Sequence, residues 1–300
     1  MILLWGLPGD SPLTSVADVL TRRRVKTVFL DQHDSPKWRF DLTVNDLVTG
    51  CLRNGTRSLD LAALYAAYIR PYDVRQLPFA SHPASLAHAS TLGDVLLSWA
   101  DMTAAKVVNR PWAMSPNNSK PYQSLQVQSF GFSIPETLIT TDPDAARVFW
   151  EKHGTVIYKS VSSVRSIVSR LTPAHTERLK QVRWCPTQFQ QYVPGTDYRV
   201  HVVGDQVFPS KIVSRADDYR YAARTGASAA IKAARLPREI SDRCFRLATG
   251  VNLPIAGIDL RQTPAGEWYC FEVNPSPGFT FYQDATGQPI AQAIASYLTH

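Results

Sequence analysis

Glu272-Val273-Asn274-Pro275-Ser276-Pro277-Gly278, read with Gly257-Ile258-Asp259-Leu260 just upstream, is the stretch on which the fold turns. Glu272 and Asn274 lie two apart, so on a strand they point to one face. The segment from Arg261 to Trp268 carries Pro264 and Gly266 between two apolar runs. That turn signal predicts a hairpin, which sets Asp259 beside Glu272. Two carboxylates and an amide, with no Cys or His among them, form a hard oxygen set suited to Mg²⁺ held between protein and nucleotide phosphates. Alone the pattern is weak, because acidic residues beside turns are commonly just solvated. The residues upstream decide it.

The chain has 300 residues, enough for a sizeable core and two or three subdomains. With 44% hydrophobic residues and charges of both signs throughout, it reads as globular rather than disordered. Met1-Ile2-Leu3-Leu4-Trp5 is apolar but lacks a basic start and stops at Gly6, and no apolar run is long enough to span a bilayer. The expectation is a cytoplasmic protein without membrane partners. Cys51, Cys185, Cys244 and Cys270 have neither metal nor redox spacing and read as thiols in a reducing compartment. The net charge of +7 is dispersed except at Arg22-Arg23-Arg24, which reads as a solvated helix end. That dispersal argues against nucleic acid and for anionic phosphates and an acidic substrate.

The opening pattern predicts a strand over Ile2 to Trp5, a helix over Ser15 to Arg24 and a strand over Lys26 to Asp31, an α/β beginning. The loop Gly6-Leu7-Pro8-Gly9-Asp10-Ser11-Pro12 has neither G-x-G-x-x-G nor the Lys-Ser/Thr of a P-loop, and its prolines remove amides, so it reads as a plain connection. A helix is expected from about Ser85 to Val108, followed by the Pro- and Asn-rich linker Asn109 to Asn118. Beyond it, helices are predicted over Tyr122 to Phe130 and Asp142 to His153, then a β-branched strand, Thr155 to Lys159. A lysine ending an apolar strand must reach an anion or snorkel to water. Asp197 to Asp205 alternates strictly, with Tyr198, Val200 and Val202 on one face and Asp197, Arg199 and His201 on the other. His201 reads first as a buried hydrogen-bonder. Arg199, with its planar fork, is suited to phosphate or carboxylate.

In this order, Lys120 before a helix, Ile134-Pro135-x-Thr137, Lys159, Gln190-Gln191-Tyr192-Val193, Asp197-x-Arg199, Gly257-x-Asp259 and Glu272-x-Asn274-x-Ser276-Pro277-Gly278 resemble the ATP-grasp carboxylate–amine ligases. The resemblance is to the RimK-like group, and Asp284 to Ile290 is similar to peptide ligases of the microviridin type. It covers Lys120 to the C-terminus. The fold class it implies is α/β with α+β subdomains: an N-terminal Rossmann-like domain (1–105), a central ATP-grasp subdomain (106–189) and a C-terminal one (190–300), clasping ATP.

By position, the resemblance implies that Lys120 and Lys159 hold nucleotide phosphates, with Gln190 and Lys211 in the same nucleotide-binding set. Gln191, Tyr192 and Val193 would line the adenine pocket, two of them through backbone groups. Asp197 would sit near the ribose and Arg199 near the γ-phosphate or acyl phosphate. Asp259, Glu272 and Asn274 would bind Mg²⁺ or Mn²⁺, and Arg220 the substrate carboxylate. Gln191 stands where many relatives have Glu, and Ser160 to Ser166, with Arg165, lacks the usual glycines. The implied activity is ATP-dependent joining of a carboxylate to an amine or hydroxyl, of a peptide or amino acid. A small-molecule kinase and a non-catalytic nucleotide-binding protein stay open, as does a homo-oligomer.

Overall fold

The structure, a computed structural model, describes residues 1–45, 48–161, 168–214 and 229–300. The chain opens with β1 (Ile2–Gly6), α1 (Ser11–Arg22) and β2 (Thr27–Asp31). Every residue of β1 is buried, as expected of a parallel strand covered on both faces. α1 begins four residues earlier than the hydrophobic pattern predicts, because Asp10 accepts from the Leu13 N–H at 2.8 Å and Pro12 needs no amide partner in the first turn. An antiparallel sheet of β3 (Arg39–Val44), β4 (Val48–Asn54) and β5 (Arg57–Asp60) follows. Next come β6 (Ala66–Ile69), α2 (Pro83–Met102) and β7 (Lys106–Val108). The parallel sheet has the order β2-β1-β6-β7.

The sequence predicts one helix through Val108, yet the chain breaks at Thr103 and its last residues form β7. Lys106-Val107-Val108 is β-branched and finds partners along Ala66 to Tyr68, where a strand buries two valines that a helix end would expose.

After short helix α3 (Pro111–Met114), α4 (Lys120–Ser129) leads into a second sheet. It comprises β8 (Thr137–Thr140), β9 (Val156–Ser160), β10 (Ser169–Arg170) and β11 (Thr187–Gln191), ordered β10-β9-β11-β8, with α5 (Pro143–His153) packed on it. Leu138, Phe149, Val156, Leu171, Leu179 and Phe189 fill the space beneath one face. The opposite face carries Ile139, Lys159 and Gln188, which are aligned partners, together with Thr137 and Gln190.

The third sheet is β14-β13-β12-β15-β16, from β12 (Thr196–Val203), β13 (Gln206–Ser214), β14 (Ala229–Ala233), β15 (Ile255–Gln262) and β16 (Trp268–Asn274). α6 (Arg238–Gly250) covers the face of Tyr198, Val200 and Val202 with Cys244, Leu247 and Ala248. α7 (Thr280–Thr286) and α8 (Ile290–Thr299) return the chain to the first sheet and α1. Ile290, Ile294 and Leu298 pack there with Leu13, Val16 and Leu20 and with Val203, Phe208 and Ile255. One core thus joins the first and third sheets. Among the described residues no helix is long and apolar enough to cross a membrane.

Candidate nucleotide and metal site

The predicted hairpin forms. Asp259 and Glu272 are aligned partners of β15 and β16, and Gly257 is opposite Asn274. Because aligned residues share a face, Asp259, Glu272 and Asn274 emerge together. A bulge follows Asp259 and shifts the register so that Leu260 faces Cys270. On the neighbouring strand Arg199 is aligned with Asp259, and its Nη1 donates to Asp259 Oδ1 at 2.7 Å. From α4, Lys120 Nζ donates to Glu272 Oε1 at 2.5 Å. The carboxylates thus sit among cations. Burial pushes the Glu272 carboxyl up, but the charge and hydrogen bond of Lys120, with Arg199 and Lys159 behind them, outweigh burial and hold it below its ordinary value.

These residues fit a divalent ion. The donors are hard oxygens at one spot, and the site already draws two cationic side chains. Asn274 Oδ1 accepts from the Ser276 N–H at 2.8 Å and keeps a second lone pair for a metal. The strand that carries them is fastened on both sides. Gln123 on α4 donates to the Val273 carbonyl at 2.7 Å and accepts from the Val273 N–H at 3.1 Å, acting as a strand partner between Glu272 and Asn274. Asn109 donates to Pro275 O at 2.5 Å and Ile255 O at 2.7 Å and accepts from the Ile255 N–H. Arg70 donates to Asp10, to Ser276 Oγ at 2.9 Å and to Pro277 O.

A cleft of about 720 Å³ opens between α4 and the second sheet, lined by Lys120, Leu125, Thr137, Ile139, Gln188 and Gln191 among others. Lys159 leaves β9 on the same face as Ile139 and Gln188. Among the sequence-derived candidates, Gln190 is committed: its Nε2 donates to Thr137 Oγ1 at 2.9 Å. The Gln191 N–H bonds Glu136 O and the Tyr192 N–H bonds Thr155 O, while Gln191 Oε1 accepts from the Glu136 N–H. Two of the three backbone N–H groups in the expected adenine strand are therefore already used. The Val193 carbonyl accepts from Arg261 Nη1 at 2.8 Å.

Two further expected residues have defined surroundings. Asp197, expected near the ribose, is gripped through both oxygens by Arg261, at 2.7 and 2.9 Å, a bidentate pair that fixes the Val193 to Asp197 connection onto β15. Gly195 within it lies so close to the Gln262 carbonyl that a Cβ would collide. Lys211, placed with the nucleotide set, is aligned with Tyr198, so its exposed side chain leaves β13 on the face opposite Arg199 and Asp259. Strand alternation separates it from them. Arg220 and Arg165 lie outside the described residues.

His201 is 1% exposed, with neither ring nitrogen bonded. Its ring meets Tyr282 edge-on at 5.0 Å. Burial, then the neighbouring Arg199 charge, lower its pKa well below the usual value and keep it neutral. The sequence reading missed Gln123, Asn109, Arg70 and Arg261. Arg261 alone had a local signal: it follows Asp259 by two on a strand aligned with Asp197.

Comparison with known proteins points to the region that carries Asp259, Glu272 and Asn274. The RimK-like ATP-grasp domain model fits residues 118–298. A "Probable alpha-L-glutamate ligase" of Cellvibrio japonicus is 28% identical over 145 residues, covering 48% of this chain and 46% of that protein, so the chain spans about half the length of the curated relative it matches. Among solved structures, the ATP-grasp ligase PsnB complexed with minimal precursor, Mg and ADP superposes with TM-score 0.79 at 26% identity, over 99% of this chain and 97% of that one. The macrocyclase MdnC bound with precursor peptide MdnA, from Microcystis aeruginosa MRC, does so with TM-score 0.83 at 21% identity, over 100% and 99%. The fold is ATP-grasp, its metal-type hairpin and lysine-bearing second sheet fall inside the matched region, and the chain belongs to the RimK-like ATP-grasp family.

Proposed function

We propose that this protein is an ATP-dependent ligase that activates a carboxylate as an acyl phosphate and joins it to an amine or hydroxyl. The observation that carries the reading is the convergence of Asp259, Glu272 and Asn274 on one face, with Glu272 bonded to Lys120 and Asp259 to Arg199, beside a cleft that Lys120 also lines. A peptide or amino acid is the proposed acceptor or carboxylate donor, in keeping with the precursor peptides named in the PsnB and MdnC complexes. The ligase names of the relatives favour acyl transfer over a halt at phosphoryl transfer. A cytoplasmic location is proposed with this chemistry, because ATP is its substrate.

Asp259, Glu272 and Asn274 would hold Mg²⁺, or Mn²⁺, which would supply positive charge to neutralise the nucleotide phosphates. Lys120, Lys159 and Arg199 present positive charge where the transferred phosphoryl group gains negative charge, and such fixed charge lowers the barrier without a protein nucleophile. The substrate carboxylate is ionised at neutral pH and attacks the γ-phosphorus, so no base is needed. The acceptor then attacks the acyl carbon, phosphate leaves, and an amide or ester results with ADP and phosphate. Arg220 is proposed to bind the substrate carboxylate, since a guanidinium fork makes paired bonds to it.

The test is ADP release and product mass with pooled carboxylates and amines. Glu272→Ala removes a charged metal ligand, so turnover should drop by orders of magnitude while circular dichroism stays native. Wild-type rates from that variant, or full activity in EDTA, reject the site assignment.

A further inference from the structure

We propose that Gln188 reads the Hoogsteen edge of adenine and sets the nucleotide preference of this enzyme. The inference rests on the reading of the cleft beside α4 as the nucleotide site. Gln188 is 3% exposed, and its Oε1 has no hydrogen-bond partner. An amide buried without partners costs free energy that a ligand can recover. It lies in the wall of the cleft of about 720 Å³, a volume that admits a nucleotide base and sugar. It is aligned with Lys159 on one side and Ile139 on the other, so all three leave the sheet on the cleft face.

The other two glutamines of this strand are excluded by their bonds. Gln190 is held by Thr137, and the Gln191 side chain by the Glu136 backbone. The N–H groups of Gln191 and Tyr192 are likewise spent on strand neighbours, which moves the burden of base recognition to a side chain. Adenine offers an amino donor at N6 beside an acceptor at N7. A primary amide matches both, with Oε1 accepting from N6 and Nε2 donating to N7, the pairing that glutamine makes with adenine elsewhere. Guanine presents two acceptors there, so one arm of the amide must face an acceptor with an acceptor. Leu125 and Ile139 supply apolar walls for the flat faces of the ring. Lys120, which lines the same cleft, and Lys159, on the same face of the sheet, are the residues proposed for the phosphates.

The experiment is calorimetric titration of the full chain with Mg²⁺ and ATP, 7-deaza-ATP, which lacks N7, and purine riboside triphosphate, which lacks the 6-amino group. Each analogue should bind wild type on the order of 10-fold more weakly than ATP. Gln188→Leu should bind ATP on the order of 10- to 100-fold more weakly and lose its discrimination against both analogues. Equal binding of all three nucleotides to wild type overturns the proposal without a variant, so it survives a Leu variant that fails to fold. A folded Gln188→Leu that still discriminates also overturns it. Wild type that binds ATP and both analogues equally rejects Gln188 alone, whereas wild type that binds no nucleotide rejects the cleft itself.

Discussion

Gly257→Ala isolates the link between backbone packing and the charged site. A Cβ at this position would stand 2.7 Å from Arg199 Cζ and 2.7 Å from Pro277 Cβ. Pro277 cannot yield, because its loop is held by Arg70. The guanidinium must therefore move, although Arg199 is only 6% exposed and its Nη1 bonds Asp259 at 2.7 Å. Overpacking costs roughly 1–3 kcal/mol. A hydrogen bond to a charged group contributes about 1.5–3 kcal/mol. One displacement incurs both, so the terms overlap, and a loss of about 2–3 kcal/mol is expected, which lowers Tm by roughly 3–5 °C. If Arg199 also meets the transferred phosphoryl group, kcat should fall about 10²- to 10³-fold, as when one preorganised donor is removed. Scanning calorimetry and a coupled ADP assay read the two effects. A variant with wild-type Tm and wild-type kcat refutes the reasoning, because it would mean the glycine is not required for Arg199 to reach Asp259.

Gln123→Leu should cost about 2–4 kcal/mol in urea denaturation, since it leaves the Val273 N–H and carbonyl without their partner, and should raise the Mg²⁺ needed for half-maximal turnover. An unchanged Mg²⁺ requirement would show that α4 does not hold the metal strand. Replacing His201 with Phe should leave stability at pH 7.5 near or above wild type, because two unbonded ring nitrogens are removed from the core. The sign with pH follows from linkage: the folded imidazole has a lowered pKa, so the unfolded chain binds the extra proton and stability is lost as pH falls below about 6.5. His201→Phe should therefore flatten the stability profile below that pH by up to about 1.4 kcal/mol per unit, and an identical slope in both proteins would contradict a neutral buried ring. A thiol reagent should label Cys185, which is exposed, while Cys244, pushed up to about 12 by burial, and Cys270, raised by burial further above its usual value, stay silent until the chain unfolds. Fast labelling of either buried thiol would show that the α6 face of the third sheet opens.

The parts of the site that follow strand periodicity were legible in the sequence. Asp259, Glu272 and Asn274 meet because a turn signal and a two-residue spacing fix which side chains share a face. Arg199 and His201 fell on the predicted face for the same reason. Lys211 leaves β13 on the opposite face, because the register of β13 against β12 pairs it with Tyr198. The α2 boundary was missed because Lys106-Val107-Val108 has no local reason to leave a helix until β6 offers an edge. Gln123 and Asn109 were illegible for a deeper reason. Each reads as an ordinary polar residue, and its partner lies 150 or 146 positions away in the chain.

Those distant bonds explain how the first sheet, which carries no member of the proposed metal set, can still govern it. Arg70 follows β6 and Asn109 follows β7, and both reach the Pro275 to Pro277 loop, which continues the strand bearing Glu272 and Asn274. Asn109 also holds Ile255, where the strand bearing Asp259 begins. Gln123 fixes Val273 from α4, whose first residue, Lys120, bonds Glu272. The strands bearing Asp259 and Glu272 are therefore pinned at their shared end by two residues that follow strands of the first sheet, and at Val273 by the helix that edges the cleft. Carboxylates held by such a frame cannot swing apart when the charge of a bound nucleotide disturbs their pairing with Lys120 and Arg199. On the proposed reading, this frame would keep the oxygen positions fixed when Lys120 and Arg199 engage phosphate, and fixed donor positions are what electrostatic catalysis of phosphoryl transfer requires.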